Sequence, residues 1–386
     1  MFDFGLDRRQ WLQGMAGASL ISTAWAQKNA APHPAEFAHP TWAEFSRQFI
    51  QADGRVIADD GNQANTYSEG QSYALFFALV ANDRTQFDRL LKWTRDNLSQ
   101  GDLGSHLPGW LWGRNEQGQW GLLDSNSASD ADLWIAYVLI HAGRLWRYRP
   151  YLEQGRALSK LILRKESADL PGLGWSLLPG PAGFVEQAGQ RWRLNPSYVP
   201  LQLLQSFAVE MPEDPWAAMA AASLEMLVRS APKGFSPDWT IYDRQKGFLP
   251  DNDGKKKGVG SYDAIRTYLW AGMLHPQAVG RDPLLRVLMP MATMVSREGV
   301  PPEHIHPVSL KVEGTGPSGF SAALLPFLQA QGAEAAVQAQ RKRLKDQPLR
   351  PTAYYEQCLS MFAISWMRGE YRFDAKGQLV VPWFQR

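Results

Sequence analysis

Three short runs in this chain place a carboxylic acid among small polar residues at the head of an apolar stretch. They are Tyr67-Ser68-Glu69-Gly70-Gln71, Ser129-Asp130-Ala131-Asp132 and Ser261-Tyr262-Asp263-Ala264. Taken singly, an acid in such a place is a helix cap, because Ser and Asp satisfy the free amides of the first turn and complement the helix dipole. Three of them brought to one mouth would do something else. One acid can protonate the leaving oxygen of a glycosidic bond while another activates water or attacks the sugar. The chain also carries 16 Trp in 386 residues, and indole faces stack on the apolar C–H faces of pyranose rings. Trp110 and Trp112, in Gly109-Trp110-Leu111-Trp112-Gly113, point the same way if that segment is extended. They are the first candidates for a sugar platform, and burial under a loop is the alternative.

Elements must hold these residues in place, and the periodicity says which. From Thr41 onward apolar residues recur mostly at three- and four-residue spacing, with few alternating runs, so the chain reads as almost all-α. Helices are expected to start near Trp42, Glu69, Thr85, Asp130, Tyr151, Pro196, Asp214, Asp263, Pro283, Ser318, Ala333 and Thr352. Alternate members differ in character. The stretches Glu69–Val80, Asp130–Ala142, Ser197–Val209, Asp263–Leu274, Gly319–Leu328 and Tyr354–Met367 are apolar nearly all round, as buried helices are. The intervening ones, such as Gln86–Leu98 and Glu334–Lys345, carry charge on one face and should lie outside. Six of each predict two concentric rings, an (α/α)6 barrel, with a two-domain helical array as the alternative. The long segments Gln100–Ser129, Pro171–Leu194 and Lys233–Ser261 precede inner helices and are rich in Gly, Pro and Trp. They are expected to crown the end where the acids sit.

Bulk properties narrow the function classes. Forty Lys+Arg against 38 Asp+Glu give a net charge of +2, too small a field to recruit nucleic acid or an anionic membrane. With 45% hydrophobic and 20% charged residues the chain can build a large core. The single Cys358 excludes an intrachain disulfide and a thiolate metal cluster. Residues Met1 to Ala26 read as a twin-arginine export signal: Arg8-Arg9 precede a short, weakly apolar run and an Ala24-Trp25-Ala26 cleavage site. Residues 27–386 are then the catalytic domain, periplasmic or secreted. No later run reaches the roughly 18 apolar residues that a membrane span needs.

The run Ala128-Ser129-Asp130-Ala131-Asp132-Leu133-Trp134-Ile135-Ala136, followed by Ala142 and Trp146, closely resembles the signature of glycoside hydrolase family 8. Thr66-Tyr67-Ser68-Glu69-Gly70-Gln71-Ser72-Tyr73 and Ser261-Tyr262-Asp263-Ala264-Ile265-Arg266 resemble the branch encoded with bacterial cellulose synthase. Val138 departs from the small Ser or Ala of the signature, which bears on packing. The resemblance spans nearly the whole mature chain. It implies an (α/α)6 barrel and an inverting endo-β-1,4-glucanase with a periplasmic part in cellulose production. Glu69 then matches the general acid and Asp263 the general base. Asp130 matches an acid assigned either to nucleophilic attack or to holding sugar and water. An inverting reaction forms no covalent intermediate, which favours the second role.

Such an enzyme makes opposite demands on its two acids. Glu69 must keep a proton although a helix N-terminus favours its anion, so it needs apolar surroundings or a nearby carboxylate such as Asp130. Asp263 must stay ionised, which Arg266 at i+3 would favour. An inverting pair is expected about 6.5–9.5 Å apart. Tyr198, Tyr262 and Arg266 join Trp110 and Trp112 as expected substrate contacts, with Trp175, Trp192 and Trp239 as weaker ones. A glucan chain is the expected partner, with the cellulose synthase complex as a further one, and a monomer is expected. Chitosan, xylan or mixed-linkage glucan as substrate, and a non-catalytic glycan-binding subunit, stay open.

No cofactor motif is present, and the two metal-like runs are weak. Asp251-Asn252-Asp253-Gly254 is followed by Lys255-Lys256-Lys257 where a calcium loop needs acids. His304-Ile305-His306 lacks a third ligand at useful spacing.

Overall fold

The computed structural model describes residues 39–58, 64–252 and 258–384. The leader read at residues 1–26 and the Lys255-Lys256-Lys257 run lie outside them.

Twelve α-helices occur among the described residues: α1 (Trp42–Phe49), α2 (Ser68–Val80), α3 (Arg84–Leu98), α4 (Ser129–Leu145), α5 (Arg149–Lys165), α6 (Leu201–Glu210), α7 (Trp216–Arg229), α8 (Ala264–Met273), α9 (Arg281–Glu298), α10 (Ser318–Ala330), α11 (Glu334–Asp346) and α12 (Tyr354–Met367). Even-numbered members are the inner ring of an (α/α)6 barrel. In α4 every residue but Arg144 is buried, so its sequence can be apolar all round. Outer helices bury one stripe: α3 turns Phe87, Leu90, Leu91, Thr94 and Leu98 inward, at the three- and four-residue intervals that an α-helix requires. Their starts obey ordinary capping rules. Thr41 and Glu44 form a reciprocal capping box at α1, and Asp83 accepts the Gln86 N–H at α3.

The third inner helix differs from expectation at its head. Pro196–Tyr198 form a single 3₁₀ turn, and α6 starts only at Leu201. Pro200 disfavours helical geometry for the residue before it, and Val199 accordingly sits at φ −118°, ψ 66°.

Rings from four inner helices fill the barrel axis. Phe76 of α2 lies 5.0 Å from Trp134 of α4 and 5.2 Å from Phe362 of α12, and Trp270 of α8 lies 5.1 Å from Phe362. This aromatic plug lies further along the helices that begin at the three acids, so it floors the mouth. The other end is closed by the C-terminal segment. There Tyr137 Oη donates to the Gly377 carbonyl at 2.8 Å and Trp383 Nε1 to the carbonyl of Val80, the last residue of α2. Gly377 takes φ +75°, and a Cβ there would lie 1.8 Å from the Gln202 carbonyl oxygen, so only glycine fits.

The long segments before the inner helices are more regular than their composition indicated. They hold short antiparallel strands: β1 (Thr66–Tyr67) pairs with β2 (Gly109–Arg114), which pairs with β3 (Trp120–Ser127), in register Thr66↔Trp112 and Gly113↔Gly121. β4 (Ser167–Leu170) and β5 (Gly174–Leu177) form a hairpin. β6 (Val185–Glu186), β7 (Arg191–Leu194), β8 (Thr240–Asp243) and β9 (Gly247–Pro250) make one four-stranded sheet from two distant segments. β10 (Pro302–Ile305) and β11 (Val312–Thr315) form another hairpin, and β12 (Arg372–Phe373) and β13 (Leu379–Val380) a last one at the C-terminal end. Strands of two to eight residues give too few alternations to register as a period. Among the described residues, no helix is long and apolar enough to cross a membrane.

Candidate active site

Glu69 and Asp130 are the second residues of α2 and α4, and Asp263 immediately precedes α8. Asp263, in the N-cap position, makes no side-chain cap bond, and Asp130 from inside α4 accepts only the N–H of Ala131, so capping does not account for the three together. They converge instead on one guanidinium. Arg266 Nη2 lies 2.9 Å from Asp263 Oδ1 and 3.6 Å from Asp130 Oδ2, and donates to Ser197 Oγ at 2.9 Å. Its charge also acts on Glu69. The Asp263 contact is the i,i+3 pair that the sequence anticipated. Arg266 is only 6% exposed. Its Nη2 thus serves Asp263, Asp130 and Ser197 at the depth of Asp130 itself, which is 3% exposed.

Electrostatics separate these acids. Glu69 keeps an edge open to solvent, yet its carboxyl is enclosed enough that burial raises its pKa. Its own backbone N–H, Arg266 and the Trp110 N–H oppose that rise, and repulsion from Asp263 adds to it. Asp263 thus adds to the bias of Glu69 toward its proton, and Asp130 repels the Glu69 anion as Glu69 repels the anion of Asp130. Asp130 is 3% exposed and is pushed up to about 8, by burial first and then by Glu69, against Arg266 and the Ala131 N–H that its Oδ1 accepts at 2.9 Å.

Two acids that the sequence reading did not single out lie behind Asp130. Asp132 and Glu166 are fully buried. Burial and mutual repulsion raise Asp132 far above its ordinary value. Burial takes Glu166 to about 8 although Ser127 Oγ donates to it at 2.6 Å. A third unforeseen acid, Asp238 of the β7–β8 connection, accepts the backbone N–H groups of Ser261 at 2.7 Å and Ala264 at 2.8 Å. Burial and Asp263 raise it to about 6. Asp132 stood in the motif beside Asp130, but Glu166 and Asp238 come from distant segments that carry no local signal.

The aromatic candidates divide. Trp110 is 37% exposed, packs 5.4 Å from Tyr67 and donates its Nε1–H to Glu69 Oε1 at 3.2 Å. Trp112 does not share that place. Its ring meets Trp93 at 5.3 Å and Trp120 at 4.9 Å, with the Arg55 guanidinium 4.4 Å from its centroid. The register shifts on either side of Leu111 put their extra residues in β3, so the two indoles differ by what each packs on, Tyr67 for Trp110 and Trp93 with Trp120 for Trp112. Tyr198, on the 3₁₀ turn, lies 5.9 Å from Trp239 and has the Arg266 guanidinium 5.7 Å from its ring. Tyr262 is 37% exposed and donates to Glu303 at 3.1 Å. Trp239 stacks on Phe184 at 6.0 Å under Arg193, while Trp192 is buried against Tyr242. In the segments read as weak metal sites, Asp251 pairs with Arg193 at 2.6 Å. His306 Nδ1 accepts the Val308 and Ser309 amides.

A barrel mouth that collects carboxyls of unlike surroundings beneath exposed indole and phenol faces has the parts for acid/base cleavage of a glycan. Comparison with known proteins agrees. The sequence model of Glycosyl hydrolases family 8 matches residues 17–369, a match that opens within the segment read as a leader. An endoglucanase of Salmonella typhi is 47% identical over 346 residues, covering 90% of this chain and 91% of its own. An endoglucanase of Xanthomonas axonopodis pv. citri is 47% identical over 347 residues, covering 89% of each. The crystal structure of an endo-1,4-D-glucanase from Vibrio fischeri superposes with a TM-score of 0.81 at 41% identity, covering 89% of this chain and 99% of that one. This chain belongs to family 8 of the glycosyl hydrolases.

Proposed function

We propose that the chain is an inverting endo-β-1,4-glucanase that binds a cellulose chain across the barrel mouth and cuts it internally. The observation that carries this is the carboxyl cluster around Arg266, with Glu69 biased toward its protonated form and Asp263 held in an ion pair. Glu69 gives its proton to the leaving glycosidic oxygen. Trp110 donates to Oε1 at 3.2 Å and Ser68 Oγ makes a longer contact of 3.4 Å to Oε2, which is the oxygen we assign the proton. Asp263 takes a proton from the attacking water, and Asp130 holds the sugar and that water. Hydrolysis balances simply: the C–O bond at the anomeric carbon breaks, water adds there with inversion, and one proton passes from Glu69 to the leaving sugar as another arrives on Asp263. Trp110, Tyr198 and Tyr262 offer ring faces along the groove. The 47% identity to named endoglucanases supports β-1,4-glucan over chitosan or xylan. Cellulose production in the periplasm is the biological setting we assign, on the resemblance to the branch encoded with cellulose synthase and on the leader.

The test is viscosity loss and reducing-end release on carboxymethyl-cellulose, with Glu69→Gln and Asp263→Asn variants verified as folded. We expect a fast viscosity drop for the wild type and a loss of about 100-fold or more in kcat for either variant. Silence on this substrate with cleavage of chitosan or xylan would move the specificity. Silence on all three would leave a glycan-binding protein.

A further inference from the structure

Asp263 occupies the residue before α8, where an Asp ordinarily folds its carboxylate back onto the free amides of the first turn. It does not do so. Its backbone is already helical, at φ −77°, ψ −49°, its side chain makes no cap bond, and its Oδ1 is 2.9 Å from Arg266. The amides that need an acceptor are taken from outside the helix: Asp238 Oδ1 accepts from both Ser261 and Ala264. The Asp238 backbone is itself fixed, donating its N–H to the Val259 carbonyl at 2.9 Å. Asp130 at the head of α4 shows what happens without such help, since its own Oδ1 accepts the N–H of the next residue, Ala131.

We infer that Asp238 is a positioning residue that caps α8 in place of Asp263 and so leaves the Asp263 carboxylate free to face the groove. Ser261 and Ala264 are 4% and 2% exposed, so water cannot easily replace Asp238. Without it, the carboxylate best placed to reach the orphaned Ala264 amide is Asp263, by the same one-residue bond that Asp130 makes. The base would then be turned away from the water it must activate, at little cost to substrate binding. Charged and titratable groups facing Asp238 are Asp263, Arg266 and Tyr268 of α8 and Tyr355 of α12. The inference rests on the reading of Asp263 as the base.

Asp238→Ala and Asp238→Asn variants of the full chain separate the possibilities. We expect Asp238→Ala to lower kcat about 30-fold with KM within about twofold, and a crystal structure of it to show the Asp263 side chain swung onto the Ala264 N–H. Asp238→Asn, whose amide oxygen can accept the same two N–H groups, should recover most of that loss. A folded Asp238→Ala with wild-type kcat and an unmoved Asp263 overturns the inference, as does an Asp238→Asn variant as impaired as Asp238→Ala. If Asp238→Ala does not fold, an Asp238→Asn variant whose kcat falls about 30-fold or more with KM unchanged, or whose Asp263 side chain has moved onto the Ala264 N–H, overturns it instead. An Asp263→Asn variant that kept full activity would sink the reading of the base alone, and the Asp263 rotamer in Asp238→Ala would still report on the cap.

Discussion

The contact between Trp110 and Glu69 joins a binding surface to a proton. The indole N–H favours the anionic carboxylate, in opposition to the burial that favours the acid. In Trp110→Phe the ring remains and the N–H is lost, so Glu69 should hold its proton to higher pH and the alkaline limb of the kcat/KM profile should move upward. With Oε1 no longer fixed by the indole, kcat should fall about 10-fold. A profile of the same shape with a limb that stays or moves down would show that the bond does not bias the proton. At this scale the sequence exposed the three acids that open helices, because helix starts have local signatures. It did not expose Asp238 or Glu166, whose roles come from a cap and a hydrogen bond supplied across the fold. Nor could it separate Trp110 from Trp112, since the rings each one packs on, Tyr67 for the first and Trp93 and Trp120 for the second, belong to other elements.

Among the elements, the inner helices were legible because complete burial lets them be apolar on every face, while α3 and α11 show their outer position by charge. The short strands were not legible, and their pairing, as in β6–β9, is set by two segments far apart in the chain. The inner ring also depends on close approach. Gly272 of α8 faces the backbone of α10, and a Cβ there would lie 2.2 Å from the Phe327 nitrogen and 2.5 Å from its Cα. Backbone cannot yield as a side-chain tip can. Gly272→Ala should therefore part α8 from α10 and cost about 1–3 kcal/mol, seen as a lower denaturation midpoint with an unchanged slope. Because α8 carries Asp263 at its head, the same variant should also lose kcat. An unaltered midpoint would mean that the two helices have room to spare.

For the molecule as a whole, the buried acids tie stability to pH in a direction opposite to ordinary acid unfolding. Glu69, Asp130, Asp132, Glu166 and Asp238 all have folded pKa values raised above those of the unfolded chain, Asp130 and Glu166 to about 8 and Asp238 to about 6. A raised carboxyl stabilises the fold fully below its unfolded value of about 4, and that contribution is lost as pH climbs through the folded value. Two histidines act in the other sense. Burial lowers His141 to about 3 and also lowers His275. They destabilise the fold in acid and stop changing it above about pH 6.5, where the unfolded histidine is neutral. Between pH 6.5 and 8.5, then, only the losses from the carboxyls continue, and the melting temperature should fall steadily across that window. Glu166→Gln should reduce the fall, because a neutral amide oxygen can still accept from Ser127 Oγ and no charge is forced into the interior as pH rises. Calorimetry of both proteins at half-unit steps would check this. A wild-type melting temperature that holds or rises from pH 6.5 to 8.5 would show that Asp130 and Glu166 are already ionised in the folded barrel below that window.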